Sequence, residues 1–308
     1  MRKTSGNTVS GLAKHIDKIQ QQRPLLAFIV AVVRKYSDDE AGLQAALLTY
    51  YGFLSLFPLL LVATSLTDLI AQHNMHLRMR LLDDITNYFP VVGEQLRQNI
   101  HNGHKVGIAF VSGLIVAIYG THGVGNAARR VLDIAWGVPV KNRNRFPEGM
   151  FKSLGILFGA GFGLLLTTVL ASYATAVLGH SLFFRLVPLA IDAVLLYLIC
   201  MFIFTLGGSR KQSRQNVRLG AITTVMGLFI LQTIGGYLII HQLRRTSSVY
   251  GQFSLVLVIM FWLYLLAQVF TYAIEINVVH SHKLWPRSLA DEQPTAADRA
   301  AAQLRESD

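Results

Sequence analysis

The sequence predicts an all-α, polytopic membrane protein: six transmembrane helices with amphipathic interfacial and external helices. Three observations carry this. Only 15% of the 308 residues are charged and 52% are hydrophobic, with mean hydropathy +0.43; a soluble domain carries roughly 25% charge. The apolar residues fall into several separate runs of about 20 or more, the length that crosses a bilayer. Lys and Arg gather in alternate connections between those runs, as in a chain threaded through a membrane.

Residues 1–40 read as a cytoplasmic N-terminal segment. Its start, "MRKTSGNTVSGLAKHIDKIQQQ", is polar and lacks the short apolar run and cleavage site of a signal peptide. Leu25 to Val33 is apolar throughout but too short to span, which predicts an interfacial helix. The membrane domain, residues 41–280, begins with a first span at about 41–70. Pro58 lies inside it, removing a backbone hydrogen bond, and predicts a kink that serves packing or a hinge. Residues 76–102 alternate apolar and charged at helical spacing and predict external amphipathic helices.

The second span lies in "VGIAFVSGLIVAIYGTHGVGNAARRVLDIAWGVP", residues 106–139. At about 1.5 Å per residue, Val106 to Trp136 would measure roughly 46 Å, beyond the ~30 Å hydrocarbon core. The span is therefore set at 106–126, with Arg129, Arg130 and Asp133 at the cytoplasmic edge. Arg129 and Asp133 are four apart and are expected to pair, which leaves Arg130 as the freer cation. The third span, 151–178, carries Gly155, Gly159 and Gly163 at four-residue spacing. This stripe admits close helix packing, with a homo-oligomer as its alternative use. Spans at 187–206, 219–240 and 253–279 follow, then a cytoplasmic tail, 281–308, expected to be mobile from Pro286.

With the N-terminus inside, 21 of the 28 Lys and Arg fall on the cytoplasmic side and 7 outside. The threefold bias puts both termini in the cytoplasm. It also accounts for the net charge of +11 as orienting charge that touches anionic lipid, so no nucleic-acid partner is required.

Intramembrane polar residues are the candidate functional groups, because a charge at that depth is costly and faces the bundle or water. Glu275 and Asn277 lie near the cytoplasmic end of the sixth span. Glu275 is expected either to lie at the interface near the headgroups or to pair with Arg129 or Arg130. Together with Asn126 and Asp133 these six residues form the candidate lipid- or substrate-binding set. Asp192 is placed beside Arg185, and Gln232 and Gln268 are read as interhelical hydrogen-bonding residues. "GTHGVG" lacks the Lys-Ser/Thr and the preceding strand of a phosphate loop. "HNGH" at 101–104 and "HSH" at 280–282 fall on opposite sides and predict no metal site. The lone Cys200 allows no intrachain disulfide. No catalytic constellation, cofactor motif or ATPase domain is expected.

Four stretches carry a family resemblance: "ALLTYYGFLSLFPLLL", "NAARRVLDIAWGVP", "NRFPEGMFKSLGIL" and "SVYGQFSLVLVIMFWLYLLAQVFTYAIEIN". As an ordered set over roughly residues 25–285 they resemble the YihY/BrkB family of bacterial inner-membrane proteins, in its YhjD-like branch. "TYAIEIN" departs from the "LGAEIN" usual there, while Glu275 and Asn277 match. The resemblance implies six spans, cytoplasmic termini and a role in envelope integrity, with lipid or small-solute transport suspected in some members. Some members carry a label as a tRNA-processing ribonuclease. The HxHxDH cluster of a metallo-β-lactamase-type nuclease is missing, and the label is read as a misassignment. The expected function is a non-enzymatic inner-membrane protein that moves or accommodates a lipid or amphiphilic solute. The alternative is a scaffold binding envelope-assembly partners through residues 76–102, with a membrane hydrolase third.

Overall fold

The computed structural model describes residues 17, 20–70, 108–143, 148–149, 151–153, 155, 182–250, 253–288 and 294–306. Among them every regular element is helical. Helix α1 is Pro24–Asp38, α2 Ala41–Ile70, α3 Ile108–Ala135, α4 Leu182–Leu206, α5 Arg214–Tyr250, α6 Phe253–His282 and α7 Ala296–Glu306, with a 3-10 turn at Val140–Asn142. Among the described residues, three stretches are long and apolar enough to cross a membrane: Leu189–Leu206, Arg214–Gly235 and Val256–His282. They lie in α4, α5 and α6. Helix α2 covers the first predicted span and runs through Pro58 without a break. The segment 76–102, expected to be external, and Gly159 and Gly163 lie outside the described residues. A Cβ built on Gly155 meets nothing within 4 Å.

Helix α6 is the central element and packs against α5, α2, α1 and α3; α2 also lies along α3, and α4 along α5. The bundle exposes apolar side chains as well as burying them. Leu198, Phe202 and Leu206 on α4, and Leu219, Ile222, Met226, Ile230 and Ile234 on α5, form exposed stripes at helical spacing. Thr271, Glu275 and Asn277 of α6 are buried. An apolar exterior around a polar-containing interior suits lipid as solvent, where side chains that need partners must find them inside.

Close helix approach explains the glycines of "GTHGVG". A Cβ on Gly123 would lie 2.5 Å from the Tyr51 ring, and one on Gly120 would lie 3.0 Å from Cα of Ser55. Both glycines therefore seat α3 against α2, and the helix continues past them for three turns. It ends in a Schellman motif: Gly137 N–H bonds the Ile134 carbonyl at 3.0 Å and Val138 N–H the Asp133 carbonyl at 2.8 Å. Gly137 takes the required left-handed conformation (φ 61°), and Pro139 follows to prevent continuation. Helix α6 stops the same way with Lys283 at φ 52°, and buried Leu284 donates to the Val279 carbonyl at 3.0 Å.

The tail expected to be mobile carries α7. A reciprocal capping box starts it: Asp298 N–H donates to Thr295 Oγ1 at 3.2 Å, and Thr295 N–H to Asp298 Oδ2 at 2.9 Å. Ala297 and Ala301 are buried, and Ala300 and Leu304 pack on the main core. An Ala-rich, charged composition reads as disorder, but its apolar residues fall on one helical face and have a surface to cover.

Candidate functional site

Lys35 organises a buried polar cluster. Ala27, Ala31 and Lys35 share one face of α1 and are all buried, Lys35 to 3% exposure. Its ammonium contacts the Asp39 carboxylate one turn away. It donates to the Ala135 carbonyl at 3.2 Å and stands 3.6 Å from Oε2 of Glu275, itself 1% exposed. Ala135 is the last residue of α3, where the helix presents its negative end. One cation thus joins α1, α3 and α6. Burial pushes the Asp39 carboxyl above its ordinary pKa, against the opposing pull of Lys35.

The predicted partners of Glu275 were Arg129 and Arg130; the structure places Lys35 there instead. Arg129 is turned toward its own helix, donating from Nη2 to Asn126 Oδ1 at 2.5 Å. Asn126 also faces His122 (Nδ2 to Nε2, 2.8 Å) and accepts from Ser153 Oγ at 3.3 Å. Asp133 still attracts the Arg129 guanidinium electrostatically, as expected from their spacing, but its hydrogen bonds go elsewhere. Asp133 accepts from Ser209 N–H at 2.6 Å and Ser209 Oγ at 2.7 Å, fastening the turn after α4 to α3. Asn277 accepts from Gly220 N–H at 2.6 Å and fixes α5 on α6. Gly220 is obligatory at that contact, since its Cβ would lie 2.2 Å from the Ala273 carbonyl oxygen.

The structure therefore divides the six candidates. Asp133 and Asn277 join helices within the fold. Asn126 and Arg129 form a polar ladder along α3. Among the described residues, Arg129 Nη1, His122 Nδ1 and Glu275 Oε2 are buried with no hydrogen-bond partner. Arg130 is exposed and lines a cleft of about 240 Å3 at the end of the bundle, with Lys35, Asp39, Gln44 and Leu304 among its walls. Gln268 accepts from Tyr36 Oη at 2.5 Å, and the Tyr36 ring stacks on Tyr272 at 4.2 Å, so Gln268 does join two helices. Gln232 is instead exposed on α5. The side chain of Arg185, the expected partner of Asp192, lies outside the described residues.

Arg287 closes this end. Its Nε donates to Asp298 Oδ1 at 2.9 Å, its Nη1 pairs with Asp38 Oδ2 at 2.8 Å, and its carbonyl accepts from Gln20 at 2.6 Å. Partial burial would raise the pKa of Asp298. Hydrogen bonds from Ser288, Arg287 and Thr295 outweigh it and hold the carboxyl down at about 2.

Lys35, Asp39 and Arg287 were not singled out from sequence. The small-residue spacing Ala27, Ala31, Lys35 was the available sign that this lysine lies on a packed face. Among the described residues, no three His, Cys, Asp or Glu side chains gather as a metal site.

The profile of the family described as virulence factor BrkB matches residues 32–298. A putative ribonuclease-like protein of Bacillus subtilis, YfkH, is 25% identical over 291 residues, 87% of this chain and 99% of its own. The inner membrane protein YhjD of Escherichia coli is 24% identical over 302 residues, 90% of this chain and 88% of its own. An uncharacterised protein of Dickeya dadantii is 24% identical over 169 residues, covering about half of each chain (51% and 49%). No solved structure matches the chain.

Proposed function

The chain belongs to the BrkB family of membrane proteins, and from that premise we propose that it is an inner-membrane bundle of six spans, both termini cytoplasmic, that moves or accommodates a lipid or amphiphilic solute and so supports the cell envelope. The observation that carries this reading is the polar layer at one end of an otherwise apolar bundle. Charged side chains are costly at that depth, and a purely structural layer would leave none of their hydrogen-bonding atoms idle. Here Arg129 Nη1 and Glu275 Oε2 make no hydrogen bond among the described residues, although Lys35 stands as an ion-pair partner 3.6 Å from Glu275, while Arg130 faces a cleft. The guanidinium groups suit a phosphate headgroup, and Lys35 holds Glu275 behind them. The protein is read as a non-enzyme without cofactor, and the ribonuclease-like name of the Bacillus relative is not carried over.

A scrambling assay in proteoliposomes tests this. Labelled anionic lipid should exchange between leaflets faster with the protein than without, and Arg129→Ala or Arg130→Ala should slow the exchange. Equal rates with and without the protein, across several anionic lipids, would refute it.

A second reading is favoured by Asp133 and Asn277, whose bonds are made within the fold. On that reading the polar layer is wholly structural, and the protein is a scaffold that binds partners through residues 76–102. Replacing that segment would then abolish the phenotype while Arg129→Ala leaves it intact.

A further inference from the structure

The cleft between α1, α3 and α7 carries both signs of charge, and its lining differs in kind from the neighbouring ion pairs. Lys35 forms part of its wall but is already held by Asp39 and Ala135. Arg130 from α3 and Arg305 from α7 also line it and are both exposed. Among the described residues no ion pair takes either guanidinium. On the α1–α2 side stand Glu40, exposed and likewise without an ion pair among the described residues, and Gln44, whose Oε1 is buried with no hydrogen-bond partner. Ile134 and Leu304 add apolar wall. The cleft holds about 240 Å3, and the apolar residues Leu25, Ile29 and Val33 are exposed along α1, the helix whose C-terminal end lines it.

Two uncommitted guanidiniums are donors suited to a phosphate diester. An uncommitted carboxylate and an amide oxygen are acceptors suited to a primary ammonium. We infer that this cleft binds a phosphoethanolamine headgroup, its phosphate on Arg130 and Arg305 and its ammonium on Glu40 and Gln44. A phosphocholine group meets the same charges but has no N–H to donate, and a phosphoglycerol group leaves Glu40 without a cation. The inference rests on the reading that the chain handles a lipid or amphiphile, and it names the headgroup and the place.

The test uses the full chain, purified in phosphatidylcholine nanodiscs. Native mass spectrometry then counts lipid retained from equal added fractions of phosphatidylethanolamine, phosphatidylglycerol and an isotope-labelled phosphatidylcholine that is distinguishable from the matrix. Phosphatidylethanolamine should be retained about tenfold over the others, the ratio expected for one charge-assisted hydrogen-bonded contact. Glu40→Gln should bring it down to the phosphatidylglycerol level. Arg130→Gln with Arg305→Gln should lower retention of both, and the Arg→Lys pair should restore part of it. All these positions are exposed, so the variants should elute as the parent does. Water-soluble glycerophosphoethanolamine competing as well as the lipid would keep the headgroup site but move its source to a free solute. Equal retention of all three lipids, or an unchanged preference in Glu40→Gln, overturns the inference. Scrambling without selective retention refutes this site and leaves transport standing; selective retention without scrambling does the reverse.

Discussion

Lys35→Met is the most informative single substitution. The ammonium serves two carboxylates and a helix-terminal carbonyl, whereas Glu275 has one cation. At 3.6 Å and an effective dielectric constant of about 20, the Lys35–Glu275 attraction alone comes to roughly 4–5 kcal/mol, before the desolvation of both ions is set against it. Removing the lysine recovers only its own desolvation and strands two carboxylates inside the bundle. Such losses run about 3–5 kcal/mol. Glu275→Gln leaves Lys35 with Asp39 and Ala135, and should cost only about 1–2 kcal/mol. The double variant should be less damaging than the two singles added together, by about 1–3 kcal/mol, because one stranded carboxylate is gone. Unfolding free energies from SDS titration in mixed micelles would measure all three. Two results would refute the reasoning: Lys35→Met within 1 kcal/mol of the parent, or Glu275→Gln costing more than Lys35→Met.

Gly220→Ala should separate α5 from α6 and cost about 3 kcal/mol or more by the same titration, since its Cβ would sit 2.2 Å from the Ala273 carbonyl oxygen. Gly155→Ala, with open space around it, should be near neutral. The Asp298 carboxyl is held down at about 2, so its contribution is fully present above its unfolded value near ~3.9 and is lost as pH falls through about 2. Amide protection across Ala296–Glu306, taken relative to the intrinsic exchange rate at each pH, should fall over that window, and Asp298→Asn should flatten the profile by lowering protection at neutral pH. Because Cys200 is buried, Lys211→Cys adds one accessible thiol to a quiet background. A membrane-impermeant maleimide should label it in inverted vesicles and not in intact cells; the opposite result reverses the proposed orientation.

The later helices run further than the apolar stretches read from hydropathy. The spans expected at 219–240 and 253–279 lie inside Arg214–Tyr250 and Phe253–His282. An apolar run measures the hydrocarbon thickness, while a helix continues through polar residues such as Arg214 and His282 until a stop signal ends it. The stop of α3 was written in "WGVP", although the run before it gave no clear end. Glu275, Asn277 and Asp133 were legible as groups needing partners, because the cost of burying them is local. Their partners were not legible: Lys35 and Ser209 lie 240 and 76 positions away, and no periodicity connects them. Helix α7 was missed because composition records charge and alanine content but not the surface that Ala297 and Ala301 cover.

The contacts of α1 also bear on how the protein is made. Lys35 and Tyr36 meet Glu275, Gln268 and Tyr272, Phe28 meets the Trp285 ring edge-on at 5.3 Å, and Asp38 pairs with Arg287. These partners are synthesised more than 200 residues later. While the ribosome completes the intervening helices, α1 has only its contacts with α2 and the end of α3, and its lysine lacks Glu275. The exposed Leu25, Ile29 and Val33 give it a place to wait at the membrane surface. Docking of α1 then belongs to the closing stage of assembly, after α6 has been inserted, and the long sequence separation makes that a slow step. A chain interrupted before Glu275 would leave Lys35 without its distant carboxylate and α1 without its contacts to α6.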